Sequence, residues 1–186
     1  VSPSVTLTAC DVPDDALLGP PGESLKSGVG LAFGLGYAAI YLGAAQRALD
    51  FTIDFCATHR FEPDPAPRAR APIVQHHVAE MSMALEGARL VLYQSACGWE
   101  KADAVQRAVL AARANYLATE AALLVTSRAV QIVGGRSVHR RYPLERLFRD
   151  VRTATLMPPN VDRSMELIGK AMLGIGDAAL LARHAG

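Results

Sequence analysis

Apolar side chains recur at three- and four-residue steps over three long stretches of this chain, which is the period of a helix with one buried face. In the first stretch, Glu23 to Arg60, that face carries Leu31, Leu35, Ala38, Leu42, Ala45, Leu49 and Ile53. The second starts at Pro72, a residue tolerated in a first helical turn. It runs to Trp99 with Val74, Val78, Met81, Leu85, Ala88, Leu92 and Ser95 as its inner stripe. The third, Ala104 to Val133, is nearly free of breakers, and Asp103 stands at its cap position. A shorter helix is predicted from Pro143 to about Leu156, where Met157-Pro158-Pro159-Asn160 breaks it. A last helix is predicted from Asn160 or Val161 to about the C-terminus. Long helices joined by short connections imply an all-α, up-down four-helix bundle.

Two segments fall outside that period. Val5 to Val12 alternates weakly and is rich in β-branched residues, which predicts a short strand. A lone strand ahead of a helical body reads as the remnant of a preceding β-domain. The expected division is therefore 1–22 as the end of a β-domain and its linker, with 23–186 as the bundle. Within that linker Asp14 and Asp15 suit turns. The second segment, "FEPDPAPRARAP" from Phe61 to Pro72, holds four prolines and is predicted to be an exposed, non-helical connector. Glycines interrupt the first helix at 28, 30, 34, 36 and 43. From Gly34 onward they are expected to mark close approach of another helix.

Composition narrows the field. The 186 residues are 51% hydrophobic but only 6% aromatic, and alanine and leucine dominate the interior positions, which favours packed helices over a β-sandwich. A net charge of +1 gives no broad attraction to nucleic acid. Cys10, Cys56 and Cys97 form no C-x-x-C pair, so neither a disulfide framework nor a zinc site is expected, and a reduced cytoplasmic setting fits. The apolar run from Val29 to Ala45 is interrupted by glycine and tyrosine and reads as a core helix, not a membrane span. His76 and His77 would point about a hundred degrees apart on a helix, which disfavours a shared metal.

The candidate chemistry lies in "QIVGGRSVHRRYPLERLFRD", Gln131 to Asp150. Two glycines stop the third helix, and Arg136, Arg140, Arg141, Arg146, Arg149 and Arg152 follow. Guanidinium groups suit an anionic ligand. The bland alternative is a solvated face with internal salt bridges to Glu145 and Asp150.

The spacing of Gln131 through Gly134-Gly135 to Tyr142-Pro143 and Arg149-Asp150 resembles the C-terminal helical domain of acyl-CoA dehydrogenases. "GAAQRALDFTIDFCATHRF" is similar to that family's first long bundle helix, and "PIVQHHVAEM" to the start of its next one. "DVPDDALLGPPGES" resembles its exit from the β-domain. The resemblance covers nearly all of this chain but only the last part of a family member. It implies FAD as cofactor, with Arg60, Phe61, Gln75, Gln131, Ile132, Gly134, Gly135 and Asn160 as its contacts. It further implies a homodimer or homotetramer, an acyl-CoA or related thioester as substrate, and an electron-acceptor flavoprotein as partner; the charge balance and the interrupted apolar run add no nucleic-acid or membrane partner.

The chain also departs from the family pattern. Ser137 stands where a third glycine is usual. The family's proton-abstracting glutamate has two usual places, and they fall on Pro158 and near Phe33, neither of which is a base. Glu166, two turns further on, suits a surface or cap role better. "RTATLMPP", Arg152 to Pro159, is similar to a stretch of flavin-dependent monooxygenases on the same scaffold, although their histidines fall on Ala154 and Met157. The alternatives to a dehydrogenase are thus a monooxygenase or a non-catalytic partner subunit. The chain alone is expected to be inactive.

Overall fold

Alanine decides how closely the helices meet. The computed structural model describes residues 4–20, 22–23 and 28–175. Its helices are α1 (Val29–Thr58), α2 (Pro72–Gly98), α3 (Ala104–Val133), α4 (Leu144–Ala154) and α5 (Val161–Met172). α3 packs against all four others. Alanines 108, 111, 112, 114, 118, 121, 122 and 129 are all buried, so neighbours can approach α3 on several sides. Met81 and Leu85 from α2 and Val125 and Val133 from α3 fill the main core with Leu144 and Val151 from α4. Each such large side chain contributes about 1.5–3 kcal/mol by leaving water. Leu167 of α5 sits in a smaller cluster with Ala108 and Ala112. The all-α bundle expected from the periodicity is the fold observed, with no strand among the described residues.

Helix ends follow local chemistry. Asp103 and Gln106 form a reciprocal capping box at the start of α3, with Gln106 N–H to Asp103 Oδ1 at 2.8 Å and Asp103 N–H to Gln106 Oε1 at 3.0 Å. Asn160 caps α5 by accepting from Arg163 N–H at 2.9 Å. α5 was predicted to run to about the C-terminus, but it closes at Met172. Gly174 at φ 65° donates to Ala171 O, and Ile175 N–H donates to Lys170 O, which is a Schellman closure. Residues 176–186 lie outside the described ones.

Three other expectations need correction. Residues 4–13 are exposed and form no strand, because no second strand among the described residues is there to satisfy a ladder. A 3-10 turn at Asp14–Ala16 does follow, as the paired aspartates suggested. The first helix is not one run from Glu23: Glu23 is helical and residues 24–27 lie outside the described ones, but Gly28 at φ 72° interrupts the run, and the long helix starts at Val29. Of the later α1 glycines only Gly34 is a close approach. A Cβ there would lie 3.0 Å from Ala111 Cβ, whereas at Gly36 or Gly43 it would meet nothing within 4 Å.

Two segments, Val29–Thr58 and Ala104–Val138, are long and apolar enough to cross a membrane by length and composition alone. The most apolar window of the second is 56% buried in the bundle and that of the first only 28%, which leaves much of α1 uncovered.

α2 and α3 are also joined by a two-point ion pair. Arg128 Nε reaches Glu80 Oε2 at 2.7 Å, and its Nη2 reaches Oε1 at 3.1 Å. The Arg128 hydrogen bonds hold the Glu80 carboxyl below its ordinary pKa. A depressed folded-state pKa stabilises fully above the ordinary carboxylate value of about 4.3 and ceases to do so as pH falls through the lower, folded value. Glu80→Gln is therefore expected to lower the melting temperature at pH 7. The gap to the unsubstituted chain should shrink as pH falls below about 4.3, as melting curves across a pH series would reveal.

Candidate functional site

At one end of the bundle an aromatic layer closes α1. Its capping residue His59 donates N–H to Phe55 O at 2.8 Å, and its ring stacks on Phe55 with centroids 4.2 Å apart. Phe61 stands edge-on to His59 at 5.5 Å. Tyr142, from the segment before α4, packs against Phe51 and Phe55 at 5.6 and 6.2 Å. Aromatic pairs at such separations hold one another's orientation as well as burying area.

The proline-rich connector is exposed over most of its length, as its composition suggested, and it also folds back onto this layer. Its prolines exclude helix, but they also hold an extended path, as Pro67 does at φ −58° and ψ 146°. The chain then turns tightly at Arg68–Arg70. Arg68 N–H donates to His59 O at 2.8 Å. Its guanidinium carbon stands 4.7 Å from the Phe61 ring centroid, and Nη2 reaches Ile132 O at 3.4 Å. Gln75 Nε2 donates to Ala69 O at 3.0 Å, which ties the connector to the first turn of α2.

The end of α3 completes the site. Gly134 adopts φ 75° and ψ −159°, a region essentially reserved for glycine, and its N–H donates to Val130 O. The chain then enters a 3-10 turn over Gly134–Val138. A Cβ at either Gly134 or Gly135 would meet nothing within 4 Å, so the backbone faces open space. Arg136 leaves this turn toward Phe61, 5.7 Å from its centroid, and donates to His59 Nε2. Ser137, at the usual third-glycine position, is fully buried with its hydroxyl unpartnered.

The electrostatics are one-sided. Neither Arg68 nor Arg136 forms an ion pair among the described residues. Arg68 Nε is buried without a hydrogen-bond partner. Burial pushes the Cys56 thiol pKa up, and the charge of Arg68 partly opposes that. Two guanidinium groups on one ring without a carboxylate make a place where an anion is favoured. The rest of the arginine cluster matches the bland alternative in part. Arg149 pairs with Glu145 at 2.9 Å, Arg152 bonds Thr155 Oγ1, and Arg141 lies over the Tyr142 ring.

Seven of the eight residues singled out from the sequence gather here, in different ways. Phe61, Gly134 and Gly135 are central. Gln131 is exposed beside the turn, and Ile132 is 2% exposed, so only its backbone faces the site. The Gln75 amide is engaged by the connector. Arg60 is exposed and makes no hydrogen bond or ion pair among the described residues. Asn160 is elsewhere. Asn115 Nδ2 donates to Pro159 O at 2.8 Å, and Asn115 precedes Gln131 by roughly 24 Å of helix axis. Sequence reasoning missed His59 and Arg68, and left Arg136 undistinguished within its cluster. The signal for Arg68 was only its place in a connector bounded by fixed prolines.

Neither of the two positions expected to hold a base carries one. Phe33 is 56% exposed on α1, and Pro158 is exposed on the loop before α5. Glu166 is held by Lys170 at 2.5 Å and Arg163 at 2.9 Å, which lowers its pKa and commits it to α5. Among the described residues no group of three His, Cys, Asp or Glu side chains is placed to hold a metal ion.

The chain is similar to known proteins over most of its length. Residues 35–157 match the family described as acyl-CoA dehydrogenase, C-terminal domain. The human mitochondrial short-chain specific acyl-CoA dehydrogenase is 36% identical over 77% of this chain and 34% of its own length. The 3-sulfinopropanoyl-CoA desulfinase of Paraburkholderia xenovorans is 35% identical over 76% of this chain and 37% of its own. A solved glutaryl-coenzyme A dehydrogenase, in complex with glutaryl-CoA, superposes with a TM-score of 0.78 at 28% identity, covering 90% of this chain and 42% of that one. The chain thus spans about a third of the length of the curated relatives it matches.

Proposed function

Since this chain belongs to the acyl-CoA dehydrogenase family, as its C-terminal helical domain, we propose that it is the FAD-contacting and oligomer-forming part of a flavoprotein oxidoreductase acting on an acyl thioester. One observation above all supports the cofactor. α3 ends on Gly134 in a glycine-only conformation, with open space before Gly134 and Gly135, beside two guanidinium groups that lack a carboxylate. Bare backbone beside paired cations suits the diphosphate of a dinucleotide. Phe61, Gln75, Gln131, Gly134 and Gly135 would hold FAD at this end, with a cationic side chain that the resemblance puts on Arg60. Ile132 would act only through its backbone, and Asn160 from the far loop.

When bound, FAD supplies the hydride acceptor for oxidising the thioester. The contribution of the chain is placement. The aromatic layer fixes Phe61, the connector fixes the guanidinium of Arg68, and the α3 turn keeps side chains out of the ligand's path. Proton removal from the substrate is not assigned to this chain, because Phe33, Pro158, Pro159 and Asn160 carry no carboxylate. That same fact favours a second reading, in which the scaffold runs other chemistry, such as flavin-dependent oxygenation, or serves as a silent subunit. A relative named as a desulfinase belongs with this reading.

Association is supported by α1. Val29, Phe33 and Ile40 are exposed at 48, 56 and 64% and recur at helical spacing, a stripe that water does not favour. A homodimer or homotetramer would cover it, and an electron-acceptor flavoprotein would reoxidise the cofactor.

The test is anaerobic bleaching of FAD by a panel of acyl-CoA thioesters. The 186-residue chain is expected to give none. The longer polypeptide that carries it as its C-terminal domain is expected to bleach with at least one thioester. If instead the longer polypeptide bleaches with none and hydroxylates a substrate when given reduced flavin and oxygen, dehydrogenation gives way to the second reading.

A further inference from the structure

The resemblance puts the cationic contact of this site on Arg60, but the geometry points to Arg68. We propose that Arg68, carried back by the connector and sharing the Phe61 ring with Arg136, is the guanidinium that holds the diphosphate at the α3 turn. This rests on the nucleotide reading of that turn. Arg60 is exposed and makes no hydrogen bond or ion pair among the described residues. Arg68 is anchored at three points: its N–H on His59 O, its guanidinium over Phe61, and Nη2 on Ile132 O. Such anchoring lowers the entropy lost when a flexible side chain engages a ligand.

Arg68 also has bonding capacity to spare. Its Nε is buried without a partner, and a buried donor left unmade is costly. The Nη2 contact to Ile132 O is long at 3.4 Å. Arg136 shares the Phe61 ring, its guanidinium carbon 5.7 Å from the centroid against 4.7 Å for Arg68, and neither has a carboxylate ion pair among the described residues. A doubly charged ligand group at the turn would give these guanidinium groups the anionic partner they lack. The open space before Gly134 and Gly135 is where that group would lie, because Ile132, whose carbonyl Arg68 reaches, lies two residues before Gly134.

The experiment titrates the 186-residue chain with ADP and with FAD by calorimetry, using Arg68→Gln, Arg68→Lys and Arg60→Gln beside the unsubstituted chain. Arg68→Gln is expected to weaken ADP by about tenfold or more, Arg68→Lys by less because charge survives without the planar fork, and Arg60→Gln by less than about twofold. Should Arg68→Gln fail to fold, judged by circular dichroism, Arg68→Lys against Arg60→Gln carries the comparison. If Arg60→Gln costs as much as the Arg68 variants, or the Arg68 variants bind ADP normally, the assignment to Arg68 is wrong and the nucleotide reading survives. If the unsubstituted chain binds neither ADP nor FAD, both fall.

Discussion

Gly134→Val is expected to destabilise the chain by about 2–3 kcal/mol and to abolish measurable nucleotide binding at the α3 turn. The backbone at Gly134 sits at φ 75° and ψ −159°. A β-branched residue there must either bear that strain or rotate the peptide planes that follow. Rotation would misdirect the turn Gly134–Val138 and with it Arg136, which reaches His59 and Phe61 from that turn. Gly135→Ala makes the instructive contrast. Its backbone has no positive φ, and a Cβ meets nothing within 4 Å. Stability should stay within about 0.5 kcal/mol, while affinity for ADP falls because the methyl enters space meant for the ligand. Urea unfolding and ADP titration of the two variants separate the turn's geometry from its contact with ligand. Equal loss of stability in both would show that strain at Gly134 is not the cause.

The same turn shows what could be read from the sequence. α3 was legible to the residue, since a breaker-free run is bounded by the Asp103–Gln106 box at one end and by Gly134 at the other. Both boundaries are local events, set within four residues. α5 was overrun for the opposite reason. Leu173 and Ile175 continue an apolar pattern, while Gly174 between them takes the left-handed conformation that stops the helix. Pattern and punctuation disagreed there, and punctuation won. The connector was read correctly as non-helical, but proline content says nothing of where an extended segment returns. The Arg68 contact with Ile132 spans 64 positions, and no local rule reaches that far. The candidate site divides in the same way. The glycine turn was visible as a motif, whereas His59 and Arg68 became apparent only once α1 and α3 ended side by side.

Glycines inside α1 carry the second large effect, because identical residues there differ in what surrounds them. Gly34→Leu is expected to cost about 3 kcal/mol or more, at the upper end for an overpacked core. Its Cβ would lie 3.0 Å from Ala111 Cβ and 3.4 Å from Ala111 O, between two helices that have no slack. Gly36→Leu, one half-turn on, places the side chain where nothing lies within 4 Å. It should raise stability by up to about 1 kcal/mol, since glycine is the weaker helix former. Adding Ala111→Gly to Gly34→Leu opens the contact from the other side. The single change Ala111→Gly costs about 1 kcal/mol by propensity, yet in the Gly34→Leu background it should recover stability, with a coupling of about 1–3 kcal/mol in a double-mutant cycle. Urea midpoints of the four variants and the unsubstituted chain measure each quantity. Additive losses at positions 34 and 111 would mean that α1 and α3 do not meet there, and the close approach that aligns the ends of these two helices at the ligand turn would need another cause.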